Sequence, residues 1–160
     1  MTPETESLTI RKACAEDAAR IQGLVNRQAE EGKMLALSLP QIYEGIRDFA
    51  VAEEEGKMVG ACALRVVWED LAEIRSLAVD PCCRDLGVGR ALVENCLEEA
   101  RSLHLRRVFA LTYQEDFFRR LGFGTVDKST LPQKVWGDCM RCTKFPDCDE
   151  TAVIMELPGG

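Results

Sequence analysis

The chain has no basic excess: 20 lysines and arginines stand against 27 acidic residues, a net charge of −7. Nucleic-acid binders usually show a basic face, and proteins held by anionic lipid need one, so neither partner is expected. No apolar run approaches the ~20 residues that a helix needs to span a bilayer. Met1-Thr-Pro-Glu-Thr-Glu-Ser7 is polar and acidic, unlike an export signal, so a cytoplasmic location is expected. There is no Gly-x-x-x-x-Gly-Lys-Ser/Thr string and no complete Gly-x-Gly-x-x-Gly, which removes two phosphate-binding fingerprints. Internal repeats, low-complexity tracts and linkers are also lacking. Histidine occurs once; His104 reads as a cap near the end of its helix.

What is present is an ordinary globular composition, with 46% hydrophobic and 29% charged residues. At 160 residues the chain is read as one domain, 1–160, long enough for a sizeable core. Eight cysteines without an export signal are expected to be reduced thiols.

Periodicity places the elements. Strands are expected at Leu8–Lys12, Phe49–Glu53, Lys57–Val67, Leu71–Val79, Arg107–Thr112, Gly122–Val126 and Thr151–Leu157. Helices are expected at Ala15–Glu30, Leu39–Asp48, Val88–Leu103 and Glu115–Leu121. The first helix has Ala18, Ile21, Leu24 and Val25 on one face. The third has Val88, Ala91, Leu92, Cys96, Ala100 and Leu103. Glu54-Glu55-Gly56 turns a hairpin, and 127–147 is a long polar excursion.

The most informative run is Leu77-Ala-Val-Asp-Pro81 followed by Arg84-Asp-Leu-Gly-Val-Gly-Arg90. It reads as an apolar strand, a turn, then the start of an amphipathic helix. Gly87 and Gly89 let the main chain approach an anion with no Cβ in the way. The helix adds unpaired N–H donors and the positive end of its dipole. Arg84 and Arg90 add forked cationic donors suited to phosphate.

Leu77–Pro81 with Arg84–Val93 resembles the acetyl-CoA signature of the GNAT N-acetyltransferase superfamily. Phe117-Phe-Arg-Arg-Leu-Gly-Phe123 resembles its second marker, and Ile10-Arg-Lys-Ala13 with Glu16-Asp17 its usual opening. Ala72–Val79, Leu111-Thr-Tyr113, Leu131–Trp136 and the tail from Asp138 to Glu150 are similar to short, stand-alone amino-acid N-acetyltransferases. Those in turn resemble the acetyltransferase half of N-acetylglutamate synthase. The resemblance implies an α/β fold with a mixed, mostly antiparallel sheet of about six to seven strands and helices on both faces. It implies that the fourth and fifth strands, Leu71–Val79 and Arg107–Thr112, splay apart and admit acetyl-CoA. Leu77, Ala78, Val79, Arg84, Asp85, Leu86, Gly87, Val88, Gly89 and Arg90 would then bind the cosubstrate. Phe117 and Phe118 would pack on its pantetheine arm or into the core.

Glu73 occupies the position of the catalytic glutamate in several branches of the superfamily. Desolvation by its apolar strand is expected to raise its pKa toward that of a useful base; pairing with Arg75 is the competing role. Simple alternation puts Arg75 on the face of Glu73, where it would hold a substrate carboxylate, unless a bulge breaks the pattern. Many relatives place a tyrosine acid where this chain has Phe118. Thr112 and Tyr113 are the hydroxyl candidates, Thr112 matching a Ser or Thr of N-acetylglutamate synthases. Lys33 and Lys134 are candidate partners for a substrate carboxylate, since Leu37 stands where an arginine is expected. Cys139, Cys142 and Cys148 form an incomplete zinc pattern or a set of buried thiols. The implied acceptor is L-glutamate, as in arginine biosynthesis. Competing acceptors are a protein N-terminus or a polyamine, and the non-enzymatic alternative is a CoA- or metal-binding sensor. A homodimer is compatible with all of these.

Overall fold

The computed structural model describes residues 8–32, 34, 36–81, 83, 87–131 and 150–158. Seven strands are formed: β1 (Leu8–Lys12), β2 (Phe49–Glu54), β3 (Lys57–Trp68), β4 (Leu71–Val79), β5 (Arg107–Thr112), β6 (Gly124–Val126) and β7 (Thr151–Glu156). The helices are α1 (Ala18–Glu30), α2 (Leu39–Glu44), α3 (Val88–Ser102) and α4 (Glu115–Arg120). Single 3-10 turns at Ala15–Asp17 and Ile46–Asp48 occupy the ends that periodicity assigned to α1 and α2. The hydrogen-bonded strand order is β1-β2-β3-β4-β5-β7-β6. Pairs β1–β2, β2–β3, β5–β7 and β6–β7 are antiparallel, and β4–β5 is parallel. The expected mixed α/β architecture is therefore observed, with seven strands. Among the described residues no helix is long and apolar enough to cross a membrane.

The chain divides into two compact units, residues 1–65 with 74–100, and residues 66–73 with 101–160. In the first, β2 and β3 meet at Glu54↔Lys57 around a two-residue turn. Glu55 and Gly56 have φ of 53° and 81°, the paired left-handed conformation that matches strand twist. Ile21, Leu24 and Val25 of α1 pack with Val51, Met58 and Ala61. Past the register shift opposite Ala52 and Glu53, Gly60 faces the other way: a Cβ on it would meet Leu92 and Val88 of α3. Helices therefore cover both faces of these strands. Cys62 and Cys96 meet across this second interface, sulfur to sulfur at 3.6 Å. The Cys96 thiol and burial push Cys62 well above the ordinary thiol range, so it stays protonated and inert. Cys14, Cys62, Cys83 and Cys96 are free thiols.

The start of α1 is fixed by charge. Arg11 of β1 grips Asp17 with two bonds of 2.8 and 2.9 Å and reaches Glu53 of β2 at 3.0 Å. Asp17 is only 3% exposed and also accepts the Cys14 N–H at 2.7 Å. The Arg11 guanidinium holds the Asp17 carboxyl below its ordinary pKa. A lowered folded pKa adds stability above the ordinary carboxylate value of ~3.9 and loses it as pH falls through the folded value. Asp17→Asn should therefore cost about 1–3 kcal/mol at pH 7. It should also flatten the loss of stability on acidification below about pH 4, as read by urea unfolding across pH.

In the second unit Leu71, Phe109, Leu131 and Ala152 form the core. The Asp70 carbonyl accepts the N–H groups of Arg106 and Arg107 where β4 and β5 begin. One expectation fails nearby. Leu103 is 49% exposed, because α3 ends at Ser102 and His104 reverses the chain at φ 61°. Val93 and Leu97 complete the buried stripe, and Leu105 is buried after the reversal. His104 caps with its backbone, its N–H donating to the Arg101 carbonyl at 3.0 Å. His104→Gly should remove the left-handed strain and stabilise by about 0.5–1 kcal/mol, a melting rise of about 1–4 °C by calorimetry.

Candidate active site

The corner between β4 and α3 belongs to the first unit. The Asp80 N–H donates to the Val59 carbonyl and the Cys83 N–H to the Asp80 carbonyl, both at 2.8 Å. The side-chain amide of Gln28, on α1, donates to the Val79 carbonyl at 2.9 Å. Gln28 is 6% exposed, so this bond fixes the end of β4 from inside the core. Gly87 has φ 79°, and a Cβ placed on it would meet nothing within 4 Å. Glycine is needed there by conformation, and the space beside it is open. Its carbonyl takes the Ala91 N–H at 3.0 Å, the first bond of α3. Val88, Gly89 and Arg90 thus sit in the first turn, where N–H groups have no partner within the helix. That is a cradle suited to the diphosphate of CoA. Arg90 is tied through Nε to Glu94 at 2.8 Å, an exposed pair that leaves its other guanidinium donors for an anion. Arg84, Asp85 and Leu86 lie outside the described residues.

β4 carries a distortion of the kind foreseen. Ser76 has φ 55°, rare for a residue with a Cβ and unusual inside a strand. Arg75, Ser76 and Leu77 are three consecutive half-buried positions, so strict alternation is lost at Ser76. Ala78 is fully buried and Val79 nearly so. Glu73 and Arg75 precede the distortion and keep their alternation. Arg75 lies within electrostatic range of Asp48, whose carboxyl burial pushes up while the charges of Lys12, Arg65 and Arg75 pull it down.

The hydroxyl candidates lie in the second unit, as does Glu73. The parallel β4–β5 ladder is three pairs long, Leu71↔Arg107, Ala72↔Val108 and Glu73↔Phe109. Glu73 is half-buried and, by alternation, shares a face with Leu71 and Phe109. Thr112 ends β5, and its Oγ1 accepts the Gln114 N–H at 2.8 Å. The oxygen is thereby held while its own hydrogen can be donated elsewhere. Tyr113 is 37% exposed. Phe118 is buried between Phe117 and Phe123, edge to face at 5.1 and 5.2 Å. Phe118 thus serves the core, and the half-buried Phe117 presents the more open ring.

Lys33, Lys134, Cys139, Cys142 and Cys148 lie outside the described residues. Among the described residues no three His, Cys, Asp or Glu side chains are grouped as metal ligands. Leu37 is held to α1 at both ends of its peptide: its N–H donates to the Asn26 side chain, and its carbonyl accepts from Gln22. Sequence reasoning missed Gln28 and Gly60. The signal for Gln28 was present, since it continues the Ile21, Leu24, Val25 stripe as a polar residue on a buried face. Gly60 gave none, because its role depends on what α3 brings against it.

Residues 17–123 match the acetyltransferase (GNAT) family. The chain belongs to this family. It is 41% identical over 148 residues to an uncharacterized N-acetyltransferase of Chlorobaculum tepidum, covering 92% of this chain and 96% of that one. It is 40% identical over 136 residues to the amino-acid acetyltransferase of Mycobacterium tuberculosis, covering 82% and 77%. A crystal structure from Mycobacterium tuberculosis, in complex with CoA and a second small molecule, superposes with a TM-score of 0.81 at 34% identity over 94% of this chain and 99% of that one. N-acetylglutamate synthase from Neisseria gonorrhoeae, complexed with coenzyme A and N-acetyl-glutamate, gives a TM-score of 0.86 at 27% identity, over 94% of this chain and 35% of that longer one.

Proposed function

We propose that this protein transfers acetyl from acetyl-CoA to the α-amino group of a small amino acid, with L-glutamate as the first choice. The reaction would be the cytoplasmic entry step of arginine biosynthesis. The observation that carries the reading is the β4–α3 corner. A glycine at positive φ and the open first turn of a fifteen-residue helix form an anion cradle directly beyond a strand that also bears Glu73. The 40% identity to an amino-acid acetyltransferase supports an amino acid as the acceptor.

In this reading main-chain N–H groups at Gly87–Arg90 hold the diphosphate, and Leu77–Val79 offer strand backbone to the pantetheine amides, as an added strand would. Glu73 takes the proton of the substrate ammonium, directly or through one water. The freed amine attacks the thioester carbon, a C–N bond forms, the C–S bond breaks, and the second proton shed by the nitrogen replaces the one that the hydroxyl donor gives to the leaving thiolate. Thr112 is the donor, with Tyr113 as the neighbouring hydroxyl. Arg75, Lys33 and Lys134 are the cations for the carboxylates of the acceptor. No covalent enzyme intermediate is needed, because holding both substrates together supplies much of the rate.

The test is release of free thiol from acetyl-CoA in the presence of single amino acids. Glutamate-dependent release, with N-acetylglutamate identified by mass, is the expected result. Release only with polyamines or peptide N-termini would replace the acceptor. CoA binding without turnover on any amine would make the protein a sensor.

A further inference from the structure

The first unit holds a cationic feature to which the steps above assign no role. A cleft of about 470 Å³ is lined by Arg20, Gly23 and Arg27 of α1, Lys57 and Met58 after the hairpin turn, and Asp80. Arg20 and Arg27 are seven residues apart, two helical turns, so they share a face with Gly23 between them. In a chain of net charge −7, three cations against one carboxylate reverse the local sign. Asp80 engages Arg27 only at 3.7 Å, long for a hydrogen-bonded pair. Arg20 also lies within electrostatic range of Asp17, which Arg11 already grips, so the lining itself keeps an excess of cations that suits a phosphate monoester. Gly23 is the second observation. Glycine inside a helix is unfavourable, and nothing lies within 4 Å of where its Cβ would be, so no neighbour demands it. Its effect is to keep the floor of the cleft open.

We propose that this cleft binds a phosphate monoester group. That group has two sources: the ribose 3′-phosphate of CoA, which rests on the reading above, or a separate phosphorylated metabolite, which does not. Asp80 forms one wall of the cleft, and its peptide groups bond to Val59 and Cys83 at the exit from β4.

Calorimetric titration with CoA, 3′-dephospho-CoA and inorganic phosphate tests this on wild type, Arg27→Gln/Lys57→Gln and Gly23→Leu. If the group is CoA's own, wild type binds CoA at least about tenfold tighter than dephospho-CoA, and both variants bind the two alike. If it belongs to a separate metabolite, inorganic phosphate binds CoA-saturated wild type and neither variant. Gly23→Leu keeps every charge and improves helix propensity, so its melting temperature should not fall while the phosphate effect disappears. Equal affinity for CoA and dephospho-CoA, together with no binding of inorganic phosphate, overturns the proposal. Failure to bind either coenzyme would sink the acetyl-transfer reading, and the inorganic phosphate titration would still decide this one.

Discussion

Glu73→Gln is expected to lower kcat for acetyl transfer by about 10²–10⁴-fold, the usual worth of a positioned acid–base group. The substitution keeps the shape and hydrogen-bonding reach of the side chain and removes only its ability to take a proton. Glu73 is half-buried on a face with Leu71 and Phe109, and it stands at the last pair of the β4–β5 ladder. Because the amine must be deprotonated in the transition state and not in the ground state, kcat and kcat/KM should fall together. CoA affinity should stay within about twofold, since in the proposed reading the phosphates are held by Gly87–Arg90. The acidic limb of the wild-type pH–rate profile should vanish in the variant. Thr112→Val should cost less, because CoA thiolate is a tolerable leaving group without an acid. Retention of a third or more of the wild-type kcat in Glu73→Gln would remove the carboxylate from the reaction.

The parts of this architecture that were readable from sequence are those governed by local chemistry. The 3.6-residue period placed the helices, which bury one face, and short apolar runs between turn residues placed the strands, of which β2 and β3 are buried on both faces. Glu54-Glu55-Gly56 announced a hairpin, and Gly87 an approach to an anion, though its positive φ was visible only in the structure. Where reading failed, a tertiary fact decided. Leu103 fits the apolar stripe of α3, yet the chain reverses at His104, a residue with no obvious claim to a left-handed conformation. Ser76 gives no sign in sequence of its positive φ; the surrounding strand imposes it. For the site, residue types were legible and partners were not. The grip of Gln28 on Val79 joins residues 51 positions apart. The bond from Gln114 to Thr112 could be anticipated only as one of several local options.

Gly60→Val should damage the fold of the first unit severely, costing about 3 kcal/mol and lowering the melting temperature by about 6–12 °C. Even the first carbon of a side chain there would lie 2.9 Å from Leu92 Cδ1, 2.9 Å from Val88 Cγ1 and 3.3 Å from the Ala78 carbonyl. Leu92 can swing its terminal methyl away. Val88 cannot, because a β-branched residue in a helix has one strongly preferred rotamer. Both are fully buried, so relief must come from backbone movement. Val88 is the first residue of α3 and follows Gly87, so the element that moves is the anion cradle itself. Stability and CoA binding should therefore fall together, with Kd for CoA raised several-fold beyond what partial unfolding explains. Leu97→Ala supplies the control: it empties a buried position further along α3 and should destabilise by a comparable 2–5 kcal/mol with CoA affinity unchanged. Gly60→Ala combined with Leu92→Ala should cost less than the two singles added, by about 0.5 kcal/mol or more, since the added methyl takes space the leucine vacates. Strict additivity in that cycle, or CoA binding by Gly60→Val as tight as by the wild type, would show that packing of α3 on β3 does not set the cradle.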